Sequence, residues 1–216
     1  LEHVILKLKA SGFTEIVINV HHFADQILDF LQANHNFGVD IHISDETEEL
    51  LDTGGGLEKA GKYFISSCHE DKNGILLHNV DILSNCNLQD LIRFHQQTPD
   101  VYATMLVSRR ITSRYLLFDD NNLLCGWINK TTGEVKPAGL KYEEGKYREY
   151  AYSGIQAINP LLLNKGMKPG KYSIIDFYLQ ACKNIRIQGY PVDNLQLIDI
   201  GKPETLIKAE EFLNQL

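Results

Sequence analysis

The fold class is decided by one stretch, EIVINVHHFADQILDFLQANHNFGVDIHIS, at residues 15–44. It starts with a compact β-rich run, EIVINV, which predicts a strand. Apolar side chains then recur at helical spacing, and these are Phe23, Ile27, Phe30 and Leu31. VDIHIS, at residues 39–44, predicts the next strand. A strand, a helix and a strand joined by short loops are typical of neighbouring parallel strands.

The alternation continues on the carboxyl side of this stretch. A polar loop at residues 45–56 leads into a predicted helix at 57–64, and a second predicted helix at 88–97 lies between strands at 75–77 and 101–108. Right-handed crossovers join such strands. We therefore expect an α/β fold with a Rossmann-like, mostly parallel mixed sheet and helices on both faces, whose ligands bind outside the carboxyl ends of the strands.

The pattern changes after residue 109. Two short β-like runs, at 115–118 and 123–128, flank the sequence Asp-Asp-Asn-Asn at 119–122. Asp and Asn between apolar runs predict a hairpin. We add a small antiparallel β excursion to the predicted sheet and treat residues 1–216 as a single domain.

Composition excludes several classes of protein. The chain has 216 residues and a formal net charge of -7, and it has no run of Lys and Arg of the kind that nucleic-acid binders carry. No apolar stretch approaches the ~20 residues of a membrane span, and no signal peptide is visible. Its four cysteines form no CxxC pair, which favours reduced thiols and a cytoplasmic location. We expect no nucleic-acid or membrane partner, and a homo-oligomer stays an open option.

The opening residues, LEHVILKLKASGF, predict a helix from the first residue onward, with an apolar stripe formed by Leu1, Val4, Ile5 and Leu8. Natural chains rarely begin inside such a helix without an initiator Met or a capping residue. We therefore expect that upstream sequence is absent here.

Three consecutive glycines, Gly54, Gly55 and Gly56, stand just before the helix predicted at residues 57–64. A segment without side chains lets the backbone approach a planar or phosphorylated ligand. A flexible loop or a helix start without a ligand explains the same glycines equally well, because a glycine run alone is a weak signal.

Two aspartates follow apolar strands at separate places in the sequence. Asp81 comes directly after the strand at 75–77, and Asp199 ends another predicted strand. Carboxylates at strand ends suit a hard divalent cation such as Mg²⁺, which one Asp alone holds poorly. The alternatives are a cap for the next helix in the case of Asp81 and turn chemistry in the case of Asp199. Asn79, beside Asp81, is a further candidate for contact with a ligand.

Taken together, these segments resemble the sugar-1-phosphate nucleotidyltransferases, which make nucleotide sugars. The resemblance covers nearly the whole chain in order, through residues 1–27 and then the motifs DTGGGL, ILLHNVD, YSGIQAI and IDIGKPETL. It implies the nucleotide-diphospho-sugar transferase fold, a Mg²⁺ cofactor, and a nucleoside triphosphate and a sugar 1-phosphate as substrates. Within the family, the subgroups that act on N-acetylmuramate 1-phosphate and mannose 1-phosphate are most similar, so UTP is the first choice of triphosphate and GTP the second.

The resemblance also implies a role for individual residues. Asp81 and Asp199 are expected to be the catalytic residues that hold Mg²⁺. The nucleotide side is expected to comprise Glu46, Thr53, Gly54, Gly55, Gly56 and Asn79. The sugar side is expected to comprise Tyr152, Ser153, Gly154 and, through a loose echo of a Glu-Lys-Pro element at residues 134–137, Lys136.

The chain departs from the family pattern in two places. The glycine-rich signature loop, with the Arg and Lys that meet the triphosphate, precedes the family's first helix and is missing from this sequence. Val80 stands where the family usually has a glycine before the first metal-binding aspartate. A non-catalytic nucleotide-sugar-binding or regulatory module on the same fold therefore remains as an alternative. A nicotinamide-dependent oxidoreductase is disfavoured, because no G-x-G-x-x-G motif follows a strand.

Overall fold

The computed structural model describes residues 1–65, 74–201 and 205–213. The chain divides into two compact units. The N-terminal unit comprises Glu2–Asn73 and Pro160–Tyr178, and the sheet unit comprises Leu1, Gly74–Asn159 and Leu179–Leu216.

The N-terminal unit is built on two parallel strands. Its helices and strands are α1 (Glu2–Ala10), β1 (Glu15–Val20), α2 (Ala24–Ala33), β2 (Asp40–Asp45) and α3 (Asp52–Ile65), with 3-10 turns at His35–Gly38 and Pro160–Asn164. β1 and β2 pair in register, so that Val20 lies opposite Asp45 and both strands end at the same edge. Helix α3 packs against both strands. The strand–helix–strand arrangement predicted from residues 15–44 is confirmed.

The sheet unit begins with β3 (Ile75–His78), β4 (Ile82–Ser84), α4 (Leu88–Gln97) and β5 (Val101–Ser108). The middle of its chain forms β6 (Arg114–Phe118), β7 (Leu124–Asn129), β8 (Val135–Lys136) and β9 (Arg148–Ile158). After α5 (Ile174–Ala181), which crosses from one unit to the other in sequence, it ends with β10 (Arg186–Pro191), β11 (Leu197–Asp199) and α6 (Leu206–Leu213).

The main sheet has the strand order β10-β5-β9-β6-β7-β8, and β3 also pairs with β9. β10 is parallel to β5, whereas β9 is antiparallel to β3, β5 and β6. It follows that β3, β5, β6 and β10 all run in one direction, with β9 opposed to them. The prediction of an α/β fold with a mostly parallel mixed sheet is confirmed.

The antiparallel excursion is part of this same sheet. β6 and β7 form a hairpin around residues 119–122, where the Asn122 amide donates to the Asp119 carbonyl at 3.0 Å and Asn122 adopts a φ of 57°. β8 adds to β7. The hairpin predicted from the Asp/Asn cluster is confirmed, because Asn tolerates the left-handed conformation that this turn requires.

β4 and β11 form a separate antiparallel pair. Apolar residues of α6 pack on it, and this small core contains Leu83, Ala209 and Phe212, with Ile198, Ile200 and Leu213 around it. Elsewhere the sheet carries fully buried side chains, such as those of Met105, Leu117 and Ile155. In the parts of the chain that the structure describes, no helix combines the length and apolar character needed to cross a lipid bilayer.

Candidate active site

Strand β3 ends in a tight turn that contains Asp81. The main-chain amide of Ile82 donates to the main-chain carbonyl of Asn79 at 3.2 Å, which closes a four-residue turn. The main-chain amide of Asn79 donates to the Gly154 carbonyl at 2.9 Å. The turn is thereby tied to β9 as well as to β3. Asp81 occupies its third position and is partly buried.

The pairing of β4 with β11 brings Asp199 to this turn. Asp199 lies opposite Ile82, the residue that follows Asp81. The Ile200 amide also donates to the Asp81 carbonyl at 2.8 Å. Main-chain hydrogen bonds therefore fix the two aspartates beside each other, although they lie far apart in sequence.

The two carboxylates face the same small space next to Gly201. A Cβ built on Gly201 would lie 3.1 Å from Asp199 Oδ1 and 3.1 Å from Asp81 Oδ2. The two oxygens are consequently separated by at most twice that distance. Burial and, second, the neighbouring charge of Asp199 raise the pKa of Asp81. Because each carboxylate disfavours the charge of the other, the pair is suited to a cation between them.

The cap and turn alternatives for these aspartates have different outcomes. The cap of α4 is Asn87, whose side chain accepts from the Gln89 amide at 3.0 Å, so the cap alternative for Asp81 is wrong. Asp199 Oδ1 does accept from the Gly201 amide at 2.9 Å. Asp199 therefore stabilises its own turn, and its second carboxylate oxygen has no part in that hydrogen bond.

The residues around Gly201 fit Mg²⁺ better than a metal that needs only protein ligands. Mg²⁺ is typically bound by one or two carboxylates together with waters and substrate phosphates. Within the described residues no group of three or more His, Cys, Asp and Glu side chains could enclose a metal. The carboxylates of Asp81 and Asp199, both beside Gly201, match the arrangement that Mg²⁺ prefers. Their role as metal ligands stays a prediction.

A bulge in β9 surrounds the predicted sugar-side residues. The pairing of β5 with β9 shifts register between Met105 and Val107, and Gly154 adopts a φ of 79° there. A Cβ on Gly154 would lie 3.1 Å from Asn79 Nδ2. Glycine is therefore required at this position, both for the conformation and for the approach of the Asp81 turn.

The two residues before Gly154 already make hydrogen bonds within the protein. The Ser153 hydroxyl is buried and donates to the Leu106 carbonyl at 2.7 Å. The Tyr152 carbonyl accepts from Arg110 at 3.0 Å, and burial raises the pKa of the Tyr152 phenol. Contact of these side chains with a sugar stays a prediction, and the Ser153 hydroxyl already has a partner in the main chain.

Lys136 lies away from this cluster. It is on the edge strand β8, and β6 and β7 lie between β8 and β9, which at usual strand spacing is a separation of about 14 Å. Its ammonium lies 5.3 Å from the centre of the Trp127 ring and 3.9 Å from Glu134 Oε1. The structure does not group Lys136 with Asp81 and Gly154, and its role in sugar binding stays a prediction without support from this geometry.

The three consecutive glycines, Gly54–Gly56, lie in helix α3, contrary to the predicted loop. Helix α3 begins at Asp52 and not at residue 57. A Cβ on Gly54 would lie 2.9 Å from the Tyr172 carbonyl oxygen, and one on Gly55 would overlap the Gly170 carbonyl oxygen. Gly54 and Gly55 are therefore explained by the close approach of residues 170–172, and Gly56 by the side chains of Asn19 and Glu46, which lie where its Cβ would be. These contacts account for glycine in a helix despite its low helix propensity. Contact with a nucleobase stays a prediction.

Thr53 and Glu46 hold the same helix start. Thr53 Oγ1 accepts from the Ile174 amide at 3.0 Å. Glu46 is only 4% exposed, and its Oε2 accepts from the Leu51 amide at 3.0 Å. Both predicted nucleotide-side residues thus stabilise the segment that carries the glycines. The structure places them, with the glycines, in the N-terminal unit, whereas Asp81, Asp199 and Asn79 belong to the sheet unit.

Comparison with known proteins decides the family. The family model described as nucleotidyl transferase matches residues 1–215. The chain belongs to the nucleotidyl transferase family. N-acetylmuramate alpha-1-phosphate uridylyltransferase of Caulobacter vibrioides is 39% identical over 216 residues, an alignment that covers 97% of this chain and 82% of that protein. The predicted membership in the nucleotidyltransferases is therefore confirmed, and so is the prediction of an enzyme of this type.

Solved structures support the fold of this nucleotidyltransferase. HddC from Yersinia pseudotuberculosis, complexed with GMP-PN, superposes with a TM-score of 0.70 at 19% identity and covers 97% of this chain and 84% of its own. The inositol-1-phosphate CTP transferase from T. maritima has a TM-score of 0.68 at 12% identity, with 99% of this chain and 81% of its own covered. At such identities the likeness concerns the fold alone.

One polar residue of this nucleotidyltransferase was not predicted from the sequence. Asn19 lies near the end of β1, and its side-chain amide donates to Glu46 Oε1 at 2.5 Å and to the Gly56 carbonyl at 3.0 Å. The available signal was a single polar side chain in the otherwise apolar carboxyl half of EIVINV. Residues 202–204 of the IDIGKPETL motif, and Cys68, lie outside the described residues.

Proposed function

We propose that this nucleotidyltransferase moves a uridylyl group from UTP to a sugar 1-phosphate in a Mg²⁺-dependent reaction. The observation that carries the proposal is the convergence of Asp81 and Asp199 on the space beside Gly201. Family membership supports the reaction class, and the paired carboxylates support a site for a divalent cation.

In this proposal Asp81 and Asp199 hold the ion through their carboxylate oxygens. A bound Mg²⁺ supplies neutralisation of the negative charge on the phosphate oxygens of both substrates. The protein's contribution is to fix both carboxylates before substrate arrives, through the Ile200–Asp81 main-chain hydrogen bond and the pairing of β4 with β11.

The chemistry is a direct displacement. A phosphate oxygen of the sugar 1-phosphate forms a bond to the α-phosphorus of UTP, and the bond from that phosphorus to the β-phosphate bridging oxygen breaks, so that pyrophosphate leaves. No covalent enzyme intermediate is needed, because such transfers depend mainly on alignment and on charge stabilisation. The residues of this chain therefore act by binding and orienting the two substrates.

The proposal places the nucleobase at the segment that carries Glu46, Thr53 and Gly54–Gly56, with Asn79 near the phosphates. It places the sugar at Tyr152, Ser153 and Gly154, and it also includes Lys136. UTP is preferred over GTP because the relative from Caulobacter vibrioides is named as a uridylyltransferase. That name also makes N-acetylmuramate 1-phosphate the first sugar phosphate to test.

We also propose that residues 1–216 form a single nucleotidyltransferase domain. The protein works in the cytoplasm, which agrees with reduced thiols at Cys86, Cys125 and Cys182. It acts on small molecules and has no nucleic-acid or membrane partner, with a homo-oligomer still an open option.

A pyrophosphate-release screen tests the proposal. The protein, including any residues that precede Leu1, is incubated with Mg²⁺, each of the four nucleoside triphosphates, and a panel of sugar 1-phosphates that includes N-acetylmuramate 1-phosphate. We expect the fastest release with UTP and a sugar 1-phosphate, and none when EDTA replaces Mg²⁺. Release with GTP but not UTP would overturn the choice of base, and no release with any pair would overturn the reaction.

A further inference from the structure

The side-chain amide of Asn19 joins three segments of the N-terminal unit. One of its hydrogens is donated to Glu46 Oε1 at 2.5 Å, and its nitrogen also donates to the main-chain carbonyl of Gly56 at 3.0 Å. Asn19 lies on β1, Glu46 directly follows β2, and Gly56 is in the first turns of α3. An amide nitrogen has two hydrogens, so this group uses its full donor capacity within the unit.

Glu46 links the Asn19 amide to the start of α3 through a further hydrogen bond. Its second carboxylate oxygen accepts from the Leu51 amide at 3.0 Å, and the Leu51 carbonyl accepts from the Tyr172 amide at 3.2 Å. Because Glu46 is only 4% exposed, its charge depends on these donors for stabilisation. A loss of the Asn19 donor would leave one oxygen of a buried carboxylate without this hydrogen bond.

The Asn19 amide and the Glu46 carboxylate fit beside residue 56 because it is a glycine. A Cβ at this position would lie 2.8 Å from Asn19 Nδ2 and 2.7 Å from Glu46 Oε1. The amide and the carboxylate therefore pack directly against the helix backbone, in the segment that the proposed function gives to the nucleobase.

We propose that Asn19 is a positioning residue for nucleotide binding, and that it acts through Glu46 and Gly56. The inference rests on the proposed function only in giving the nucleobase to this segment. The site then needs a hydrogen-bond donor at residue 19 and a hydrogen-bond acceptor at residue 46. This pair fixes the position of the first turn of α3.

The pair can be broken and rebuilt by two substitutions. Asn19→Asp sets a carboxylate against the Glu46 carboxylate, and the two repel each other. Glu46→Gln leaves an amide nitrogen facing either Asn19 or the Leu51 amide, both of which are donors. In the double variant, the new amide at position 46 can donate to the new carboxylate at position 19 and still accept from the Leu51 amide. Only the contact with the Gly56 carbonyl is then lost.

The experiment measures steady-state kinetics and triphosphate-induced thermal stabilisation of wild type, both single variants and the double variant in one buffer. Asn164→Asp, at an exposed position of the same unit, makes the same chemical change as a control. Losing a hydrogen bond to a charged group predicts a rise in the KM for the triphosphate of about tenfold or more in Asn19→Asp. We expect kcat to change much less, the double variant to recover part of the KM, and Asn164→Asp to match wild type.

The outcomes separate this inference from the proposed function. An unchanged KM in Asn19→Asp, a double variant with the summed defects of the two singles, or a loss of activity that only follows a lower melting temperature would each overturn it. If wild type catalyses no transfer but is stabilised by a triphosphate, and Asn19→Asp abolishes that stabilisation, the inference holds and the proposed function fails. A wild type that no triphosphate stabilises overturns the inference.

Discussion

The main-chain amide of Ile200 donates a 2.8 Å hydrogen bond to the carbonyl of Asp81. This bond joins two turns from distant parts of the sequence without using the carboxylate of either aspartate. The charge at positions 81 and 199 can therefore be removed by Asp→Asn, which keeps the Asp199 oxygen that accepts from the Gly201 amide, while the backbone stays in place.

The first prediction concerns the two carboxylates. Asp81→Asn or Asp199→Asn removes one charge from the pair, and we expect turnover to fall by about a hundredfold or more. Stability should be unchanged or slightly higher, because a repulsion between neighbouring carboxylates is relieved. Pyrophosphate release and thermal unfolding measure the two effects.

Asp120→Asn is the matched control for both variants, because the Asp120 side chain is 99% exposed. It should retain wild-type turnover. Activity close to wild type in either Asp81→Asn or Asp199→Asn would remove these residues from the metal site.

The second prediction concerns the space between the carboxylates. Gly201→Ala puts a methyl group 3.1 Å from an oxygen of each aspartate, in the place proposed for the ion. We expect the Mg²⁺ concentration for half-maximal activity to rise by about tenfold, which corresponds to about 1.4 kcal/mol, with recovery at saturating Mg²⁺. A Mg²⁺ dependence identical to that of wild type would mean that the ion lies elsewhere.

The third prediction concerns the two kinds of glycine in helix α3. Gly55→Ala collides with the main-chain carbonyl of Gly170, and we expect a loss of about 1–3 kcal/mol in the free energy of unfolding. Gly61→Ala, in the same helix, meets only the flexible end of Leu163 at 3.2 Å. Since alanine favours helix over glycine by about 1 kcal/mol, Gly61→Ala should be neutral or stabilising.

Urea unfolding of the two variants provides the measurement. Equal effects of the two substitutions would show that helix propensity, and not the approach of residue 170, governs this part of α3.

The fourth prediction concerns pH. His95 is buried, its Nδ1 lies 2.8 Å from Thr104 Oγ1, and burial lowers its pKa from 6.5 to about 4. The folded state thus binds this proton less tightly than the unfolded chain does. The stabilisation from neutral His95 is complete above pH 6.5 and is lost as pH falls toward 4, by up to about 3 kcal/mol.

His95→Asn should flatten the dependence of unfolding free energy on pH across this window, as measured by urea titrations at a series of pH values. His22→Asn, at an exposed histidine, should leave the dependence as it is in wild type. The same slope in His95→Asn and wild type would contradict the assignment.

Local patterns in the sequence predicted those parts of the fold that local chemistry determines. The parallel pair β1–β2 follows from hydrophobic periodicity at residues 15–44, and the hairpin follows from the Asp/Asn cluster at 119–122. The sequence placed Asp81 and Asp199 after apolar strands and so anticipated that they would meet. The structure brings them together by another route, the antiparallel pairing of β4 with β11 outside the main sheet.

The remaining features depend on contacts between distant segments, which no local pattern reports. β4 has only three residues, and its strand character comes from pairing with β11. Gly54 and Gly55 are needed in α3 because residues 170–172 pack directly against them. The Ser153 hydroxyl turns to the Leu106 carbonyl because of a bulge in β9, and a bulge is set by the register of the partner strand.

The packing of Gly54 and Gly55 against residues 170–172 has a consequence for engineering. A designer who transplants the glycine-bearing stretch from another enzyme, to test whether it sets the base preference, would also have to transplant the segment around Tyr172. If only one of the two segments were exchanged, it would pack against a segment of a different shape. The two segments are therefore best exchanged together.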